Sequence, residues 1–287
     1  MNTTASLKIA IVGAGGIGTA FAWQLRKAGH DVTVVARGAR LAKLRKDGGI
    51  VHVDGGRVDV DIVEALDTAV VWDLVLLTVL APQVAAVLPT LSASAAKTVM
   101  FMFNTFEPLQ PLQDAVGARF AFGFPGGVFS LLVDGRLNHR LLPGTTVTHA
   151  SWAKVFADAG ITTGTTDDMH GFLRSHAAGV VGMMAAGCAI VASGGAPLSW
   201  AQAKPYAVAT STAFRLVRRL GHRVTPAPFA AIGRLPVVVL TALLWALSRT
   251  QQQRDLGALG PHEPRMLIDQ MTAACPGETA TLLAIRP

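Results

Sequence analysis

The chain has 287 residues, of which 51% are apolar and 15% charged, against roughly 25% charged in an average soluble domain. That balance excludes a disordered or coiled-coil chain, and the length allows one large domain or two modest ones with a substantial core. The net charge of +7 suits an anionic ligand or a basic solvated face, and two cysteines, Cys188 and Cys275, are too few for a disulfide framework or a four-cysteine zinc site.

Met1 to Lys8 is short and polar, and no secretory pattern follows it, so a cytoplasmic protein with free thiols is expected. Lys8 to Val12 predicts a buried strand, followed by a glycine turn and a helix to about Lys27 that Gly29 stops. Asp31 to Ala36 predicts a second strand and Arg40 to Lys46 a helix. The alternation of Val51 to Ile62 around Gly55-Gly56 suggests a hairpin-like excursion. Asp73 to Leu80 and Lys97 to Asn104 are further continuous apolar strands. Such alternation of strands and helices builds a parallel sheet covered on both faces.

From Asp167 onward only helical patterns follow: Asp168 to Ser193, Pro197 to Leu220, Phe229 to Arg249 and Pro264 to Ala274. Turn signals at Gly221, Pro226, Pro228 and Gly257 to Pro261 separate them. The expected fold class is α/β, with a doubly wound parallel sheet of Rossmann type over residues 1–166 and an all-helical domain over 167–287.

Ala177 to Leu198 is uncharged and long enough to span a bilayer, but it is rich in glycine and poor in large aliphatics. Leu235 to Leu247 is more apolar and too short to cross. Buried helices or a subunit interface are expected rather than a membrane partner. Arg215, Arg218, Arg219 and Arg223 alternate with Leu216, Val217 and Leu220 at helical spacing, which reads as an amphipathic helix. No aromatic-plus-basic stripe suggests nucleic acid.

Gly13-Ala14-Gly15-Gly16-Ile17-Gly18 fits G-x-G-x-x-G in its proper setting, after a predicted strand and at the opening of a helix. The first glycine allows the tight turn, the second lets the backbone approach a pyrophosphate, and the third permits close helix–strand packing. The helix start adds unpaired N–H groups and positive dipole density. The alternative is a glycine turn that merely joins strand to helix. At the end of the second strand an NAD-selective site would carry a carboxylate for the ribose 2′-hydroxyl. Here Val35-Ala36-Arg37-Gly38-Ala39-Arg40 has none. Arg37 can offer its planar fork to a 2′-phosphate, with Arg40 or Lys43 adding charge, so NADPH is expected.

These features together resemble the ketopantoate reductase family. The similar segments are Lys8 to Gly18, Val34-Val35-Ala36-Arg37-Gly38, Asp73 to Val79, Phe103-Asn104 and Leu220 to Pro226. The resemblance implies an amino-terminal NADPH domain, a helical domain that closes over it, and hydride reduction of a 2-keto acid. It also implies cofactor contacts at Thr78, Val79 and Leu80, and a place for Asn104 beside nicotinamide and substrate. The chain departs from the family pattern at several points. Leu80 replaces a lysine, and the position of the catalytic lysine falls on His176, or on Ser175 with a shift of one. Gly179 or Val180 stands where an asparagine is expected, and Arg265 where a serine is. This marks a divergent member.

Ketone reduction needs a proton donor beside the developing alkoxide. A histidine with a pKa near 6.5 can serve, so His176 is the candidate acid and Asn104 the group orienting the carbonyl. A packing role for His176 is the alternative, and His170 is a rival. Arg174 and Arg265 could hold a substrate carboxylate, or be ordinary surface charges. No metal site is expected, since the histidine spacing lacks a zinc-protease pattern, and no hydrolase elbow is present. The expected function is NADPH-dependent reduction of a carbonyl or imine of a small, rather apolar substrate by a homodimer. The alternative is a non-redox protein on the same scaffold, such as a nucleotide sensor, cyclase or isomerase.

Overall fold

In the computed structural model, which describes residues 6–287, the chain packs as two units. One holds residues up to 104 and 109–169, the other residues 105–108 and 170–287. Met1 to Ala5, part of the polar opening stretch, lie outside the described residues.

In chain order the first unit runs β1 (Lys8–Val12), α1 (Gly16–Lys27), β2 (Asp31–Val35), α2 (Gly38–Asp47), β3 (Ile50–Val51), β4 (Arg57–Val58) and β5 (Asp61–Val63). It continues with β6 (Leu74–Leu77), α3 (Val84–Ala93), β7 (Val99–Met102), α4 (Gln110–Val116) and β8 (Phe120–Pro125). It closes with β9 (Val128–Val133), β10 (Arg136–Leu141), β11 (Thr145–Val147), α5 (Ala150–Asp158) and β12 (Thr163–Thr165).

Eight strands form one sheet in the order β12-β11-β8-β7-β6-β1-β2-β5, parallel except where β11 meets β8. The β6 and β7 strands are buried along their whole length, so their sequences are unbroken apolar runs with no polar face. Phe21 and Leu25 of α1 are fully buried, and Phe21 meets Phe156 of α5 edge-on at 5.1 Å. Burying each such side chain stabilises the unit by roughly 1.5–3 kcal/mol.

The excursion read over residues 51–62 divides in two. β3 and β4 pair as a small hairpin, but β5 leaves it and joins the main sheet beside β2. Alternation of period two marks a strand without naming its partner. A second hairpin, β9–β10, had no sequence expectation, and it packs on α1.

The second unit contains α6 (Met169–Ala192), α7 (Trp200–Arg219), α8 (Ala227–Ile232), α9 (Val237–Leu247), α10 (Gln251–Ala258), α11 (His262–Ala274) and α12 (Ala280–Leu283). The helix expected from Phe229 to Arg249 is broken into α8 and α9. Pro236 lacks the N–H that a continuous helix needs and its ring would clash with the carbonyl four residues back. Ser199 starts α7 with a capping box, its hydroxyl accepting from Gln202 N while Gln202 Oε1 accepts from Ser199 N, worth about 1 kcal/mol.

The core of this unit joins Ala177, Val181 and Ala185 of α6 to Ala209, Ala213 and Phe214 of α7. α6 is long and apolar enough to cross a membrane, and 56% of its most apolar window is buried inside protein, as in a core helix. The arginines of α7 are engaged locally: Arg218 donates to Gly233 O, Arg215 to Thr212 Oγ1, and Arg219 pairs with Glu278.

Candidate functional site

Four neighbouring parallel strands of the first unit, β7-β6-β1-β2, end at the same edge of the sheet. The residues that follow their carboxyl ends are Asn104 after β7, Thr78 to Leu80 after β6, Gly13 to Gly18 after β1, and Arg37 after β2. The chain travels outward from β1 through β2 to β5, then crosses back to β6 on the other side of β1. The topological switch point therefore falls between β1 and β6, where open α/β sheets bind ligands.

The glycine loop is shaped by its contacts. Gly13 has φ +109°, and a Cβ there would stand 2.9 Å from Val79 Cγ1. A Cβ on Gly18 would stand 2.0 Å from Gly13 O, so α1 could not approach the strand with a side chain there. At Gly15, by contrast, no atom of a described residue beyond its chain neighbours lies within 4 Å of a Cβ position.

The loop carbonyls all face protein donors. Gly13 O accepts from Thr78 Oγ1 at 2.7 Å, and Gly15 O accepts from Thr19 N at 2.9 Å. Ala14 O accepts from Arg40 Nε at 3.0 Å and Thr19 Oγ1 at 3.2 Å. The N–H groups of Gly16, Ile17 and Gly18 open α1, too early in the helix for intrahelical acceptors. A row of amides that the loop's own carbonyls do not oppose suits an anion.

Arg37 occupies the cap position before α2 and is exposed; its carbonyl accepts from Leu41 N, and its guanidinium makes no hydrogen bond with any described residue. Arg40 and Lys43, expected to add charge beside it, are committed elsewhere. Arg40 bonds Ala14 O, Thr19 Oγ1 and Gly135 O, and Lys43 Nζ pairs with Asp47 at 3.0 Å. Leu80 is 63% exposed and its amide bonds Gln83 Oε1. Sequence reasoning missed the Arg40 and Thr19 contacts, because a polar residue inside a helix pattern does not announce which carbonyl it meets.

In the second unit Ser175 is buried, donating to Gly171 O at 2.7 Å and accepting from Thr225 N at 3.1 Å. Those two bonds give its hydroxyl a structural role. Arg174 is only 6% exposed and so is no surface charge. Its Nε donates to Phe106 O at 3.1 Å, its Nη1 meets His222 Nε2 at 2.9 Å, and its guanidinium lies 5.1 Å from the Phe106 ring. His170 packs on His222 with ring centroids 4.7 Å apart. Gln270 Oε1 accepts from Phe106 N at 2.8 Å, so residues 105–108 are gripped from two helices. Arg265 donates to Pro287 O.

His176 lies on α6 with its ring edge-on to Phe229, centroids 5.7 Å apart. Gly179, one turn later, makes room for that ring: a Cβ there would stand 2.5 Å from Phe229 Cε1. Burial pushes the His176 pKa down to about 4. The imidazole is therefore neutral at pH 7.

Residues 9–151 match the family described as Ketopantoate reductase PanE/ApbA. A putative ketopantoate reductase from Ralstonia solanacearum MolK2 is similar in structure, with a TM-score of 0.74 at 19% identity over 98% of this chain and 96% of that one. D-mandelate dehydrogenase in complex with NADH gives 0.70 at 16% identity, covering 98% and 97%. A dimeric ketopantoate reductase from Staphylococcus aureus gives 0.68 at 13% identity, covering 98% and 96%. At these identities the structural likeness concerns the fold. A curated D-amino acid dehydrogenase from Paramagnetospirillum magneticum is 53% identical over 45 residues, 15% of this chain and 11% of that protein's length. By a match that spans its amino-terminal half, and with the fold to accompany it, the chain belongs to the ketopantoate reductase family.

Proposed function

We propose that the protein is an NADPH-dependent oxidoreductase that reduces a carbonyl, or an imine, of a small and rather apolar molecule. The observation that carries this reading is the convergence of Gly13 to Gly18, Thr78 to Leu80 and Asn104 on the carboxyl edge of the sheet at its switch point. Relatives named as ketopantoate reductases and as D-mandelate dehydrogenase support hydroxyl–carbonyl chemistry, and the complex of the latter with NADH supports a nicotinamide cofactor.

The residues present fit such a cofactor. The amides of the loop would hold the diphosphate, the open space over Gly15 admits it, and Arg37 would meet a 2′-phosphate. When bound, the nicotinamide supplies the hydride. Asn104 orients the substrate carbonyl by donating from its side-chain amide. His176 would serve the developing alkoxide with the one N–H of a ring that burial keeps neutral, stabilising it by a hydrogen bond while the proton itself is supplied by water. Residues 1–166 would hold the cofactor, and 167–287 the substrate.

A second reading, a non-redox sensor, cyclase or isomerase, is favoured by that same neutrality, since the site then lacks the fixed charge of a catalytic lysine. The test is absorbance at 340 nm with a panel of 2-keto acids, ketones and cyclic imines. Consumption of NADPH with any of them supports the first reading. Tight NADPH binding without turnover favours the second.

The exposed Val238, Val239, Leu243 and Leu247 of α9 support a homodimer in which a second copy covers this helix, as does the relative described as dimeric. A monomer by light scattering would dismiss it. Free Cys188 and Cys275 support a cytoplasmic location.

A further inference from the structure

Arg40 stands three residues beyond Arg37, in the first turn of α2, but its guanidinium turns inward. Nε donates to Ala14 O at 3.0 Å, Nη2 to Thr19 Oγ1 at 3.1 Å and Nη1 to Gly135 O at 2.7 Å. Gly135 lies in the turn of the β9–β10 hairpin, and that hairpin rests on α1 along its length. The carbonyl oxygen of Ser130 stands 2.6 Å from where a Cβ on Gly16 would be, and His139 Nε2 meets Gln24 Nε2 at 2.9 Å. One planar fork thus joins the glycine loop, the first helix and the hairpin, a geometry that a lysine could not reproduce.

The orientation of the Ala14–Gly15 peptide matters because a peptide unit presents N–H on one side and C=O on the other. Turned over, it would direct a carbonyl oxygen toward the anion seat and repel a diphosphate. The carbonyls on either side are held by neutral donors, Thr78 Oγ1 on Gly13 O and Thr19 N on Gly15 O. Ala14 O receives a cationic one, and charge-assisted hydrogen bonds are about twice as strong as neutral ones.

We propose that Arg40 is a positioning residue for dinucleotide binding, which holds the Ala14 carbonyl away from the ligand and so keeps the loop amides directed at the diphosphate of either coenzyme. The inference rests on the dinucleotide function assigned to this loop. It separates Arg40 from Arg37, whose effect is confined to the 2′-phosphate.

NADPH and NADH are titrated by nicotinamide fluorescence into wild-type protein, Arg37→Ala, Arg40→Met and Arg40→Ala, and hydrogen exchange is followed over residues 13–19. Arg40→Met is expected to weaken both coenzymes about tenfold with their ratio unchanged, whereas Arg37→Ala weakens NADPH alone. Exchange over 13–19 is expected to rise in Arg40→Met while β1 and β6 stay protected. Guanidinium ion at low millimolar concentration is expected to restore part of the affinity lost in Arg40→Ala. Should the arginine variants fail to fold, Thr19→Val removes the second donor to Ala14 O and is expected to show the same pattern, smaller. A loss confined to NADPH would make Arg40 a 2′-phosphate ligand and overturn the proposal, as would unchanged affinity and exchange. Wild-type protein that binds neither coenzyme refutes the dinucleotide function and this role with it, while the exchange data still show whether Arg40 holds the loop.

Discussion

Glycines cluster in both units, at Gly13, Gly15 and Gly18 beside β1 and at Gly179, Gly182 and Gly187 along α6, and the space they leave is used differently. Around Gly15 no atom of a described residue beyond the chain neighbours comes within 4 Å of a Cβ position. Around Gly182 and Gly187 the space is filled: Cβ atoms there would stand 2.2 Å from Thr210 Oγ1 and 3.0 Å from Gly257 Cα. Gly13 and Gly18 let strand and helix pack closely and Gly15 faces open space, whereas Gly182 and Gly187 make room for neighbouring helices. Composition cannot separate the two uses, because a missing side chain looks the same in sequence whatever takes its place.

The sharpest way to break this contrast is at the helix contact. A Cβ on Gly257 would stand 2.1 Å from the Gly187 carbonyl oxygen, which is backbone and cannot swing aside. Gly257→Ala is therefore expected to cost about 3 kcal/mol or more and to lower the thermal midpoint by roughly 6–12 °C. A midpoint within 2 °C, roughly the shift from 1 kcal/mol, would contradict the close approach.

Almost as large an effect is expected from acid. The His176 pKa is near 6.5 in the unfolded chain and about 4 in the folded one. Between those values the unfolded chain binds the proton and the folded chain does not, so stability is full above pH 6.5 and falls as pH drops toward 4. The loss approaches about 3 kcal/mol, and denaturant titrations at pH 7 and pH 4 should show it shrinking in His176→Met. An equal acid loss in both proteins would place the sensitivity elsewhere, His139 included, whose pKa is also lowered by burial and by His52.

Gly15→Ala tests the other side of the contrast. Its backbone, at φ −72°, accepts alanine and its Cβ meets no protein atom, so the thermal midpoint should hold within about 1 °C. Coenzyme affinity should fall about tenfold or more, as the methyl group takes the space of a phosphate. Unchanged affinity measured by calorimetry would mean that the open space is not the ligand seat. Smallest in stability terms is Arg37→Ala, expected to leave the midpoint in place and shift the NADPH-to-NADH affinity ratio by roughly ten- to a hundredfold.

Much of the first unit was legible because its signals are local. A buried parallel strand must be apolar on both faces, so β1, β2, β6 and β7 stand out as unbroken runs. The turn after β1 needs glycine at fixed offsets. The hairpin β9–β10 was not legible. Phe129, Leu131 and Val133 are exposed on one face of β9, so its apolar pattern points to solvent rather than to the core. The break between α8 and α9 was signalled by Pro236, but the continuous apolar periodicity on both sides masked it.

In the second unit, spacing located α6 and placed His176 on it. Spacing could not foresee a ring held neutral by burial, or an Arg174 shielded from solvent and engaged with Phe106 and His222.

The amino-acid order by itself determined the alternation of strands and helices, the glycine turn and the positions of the chargeable side chains, because each follows from backbone geometry and hydrophobic period over a few residues. Tertiary structure alone decided which arginine faces solvent and which braces the loop. Arg37 and Arg40 lie three positions apart on the same helix start and are chemically identical. Their difference arises from Ala14, Thr19 and Gly135, which folding brings to one of them and not to the other.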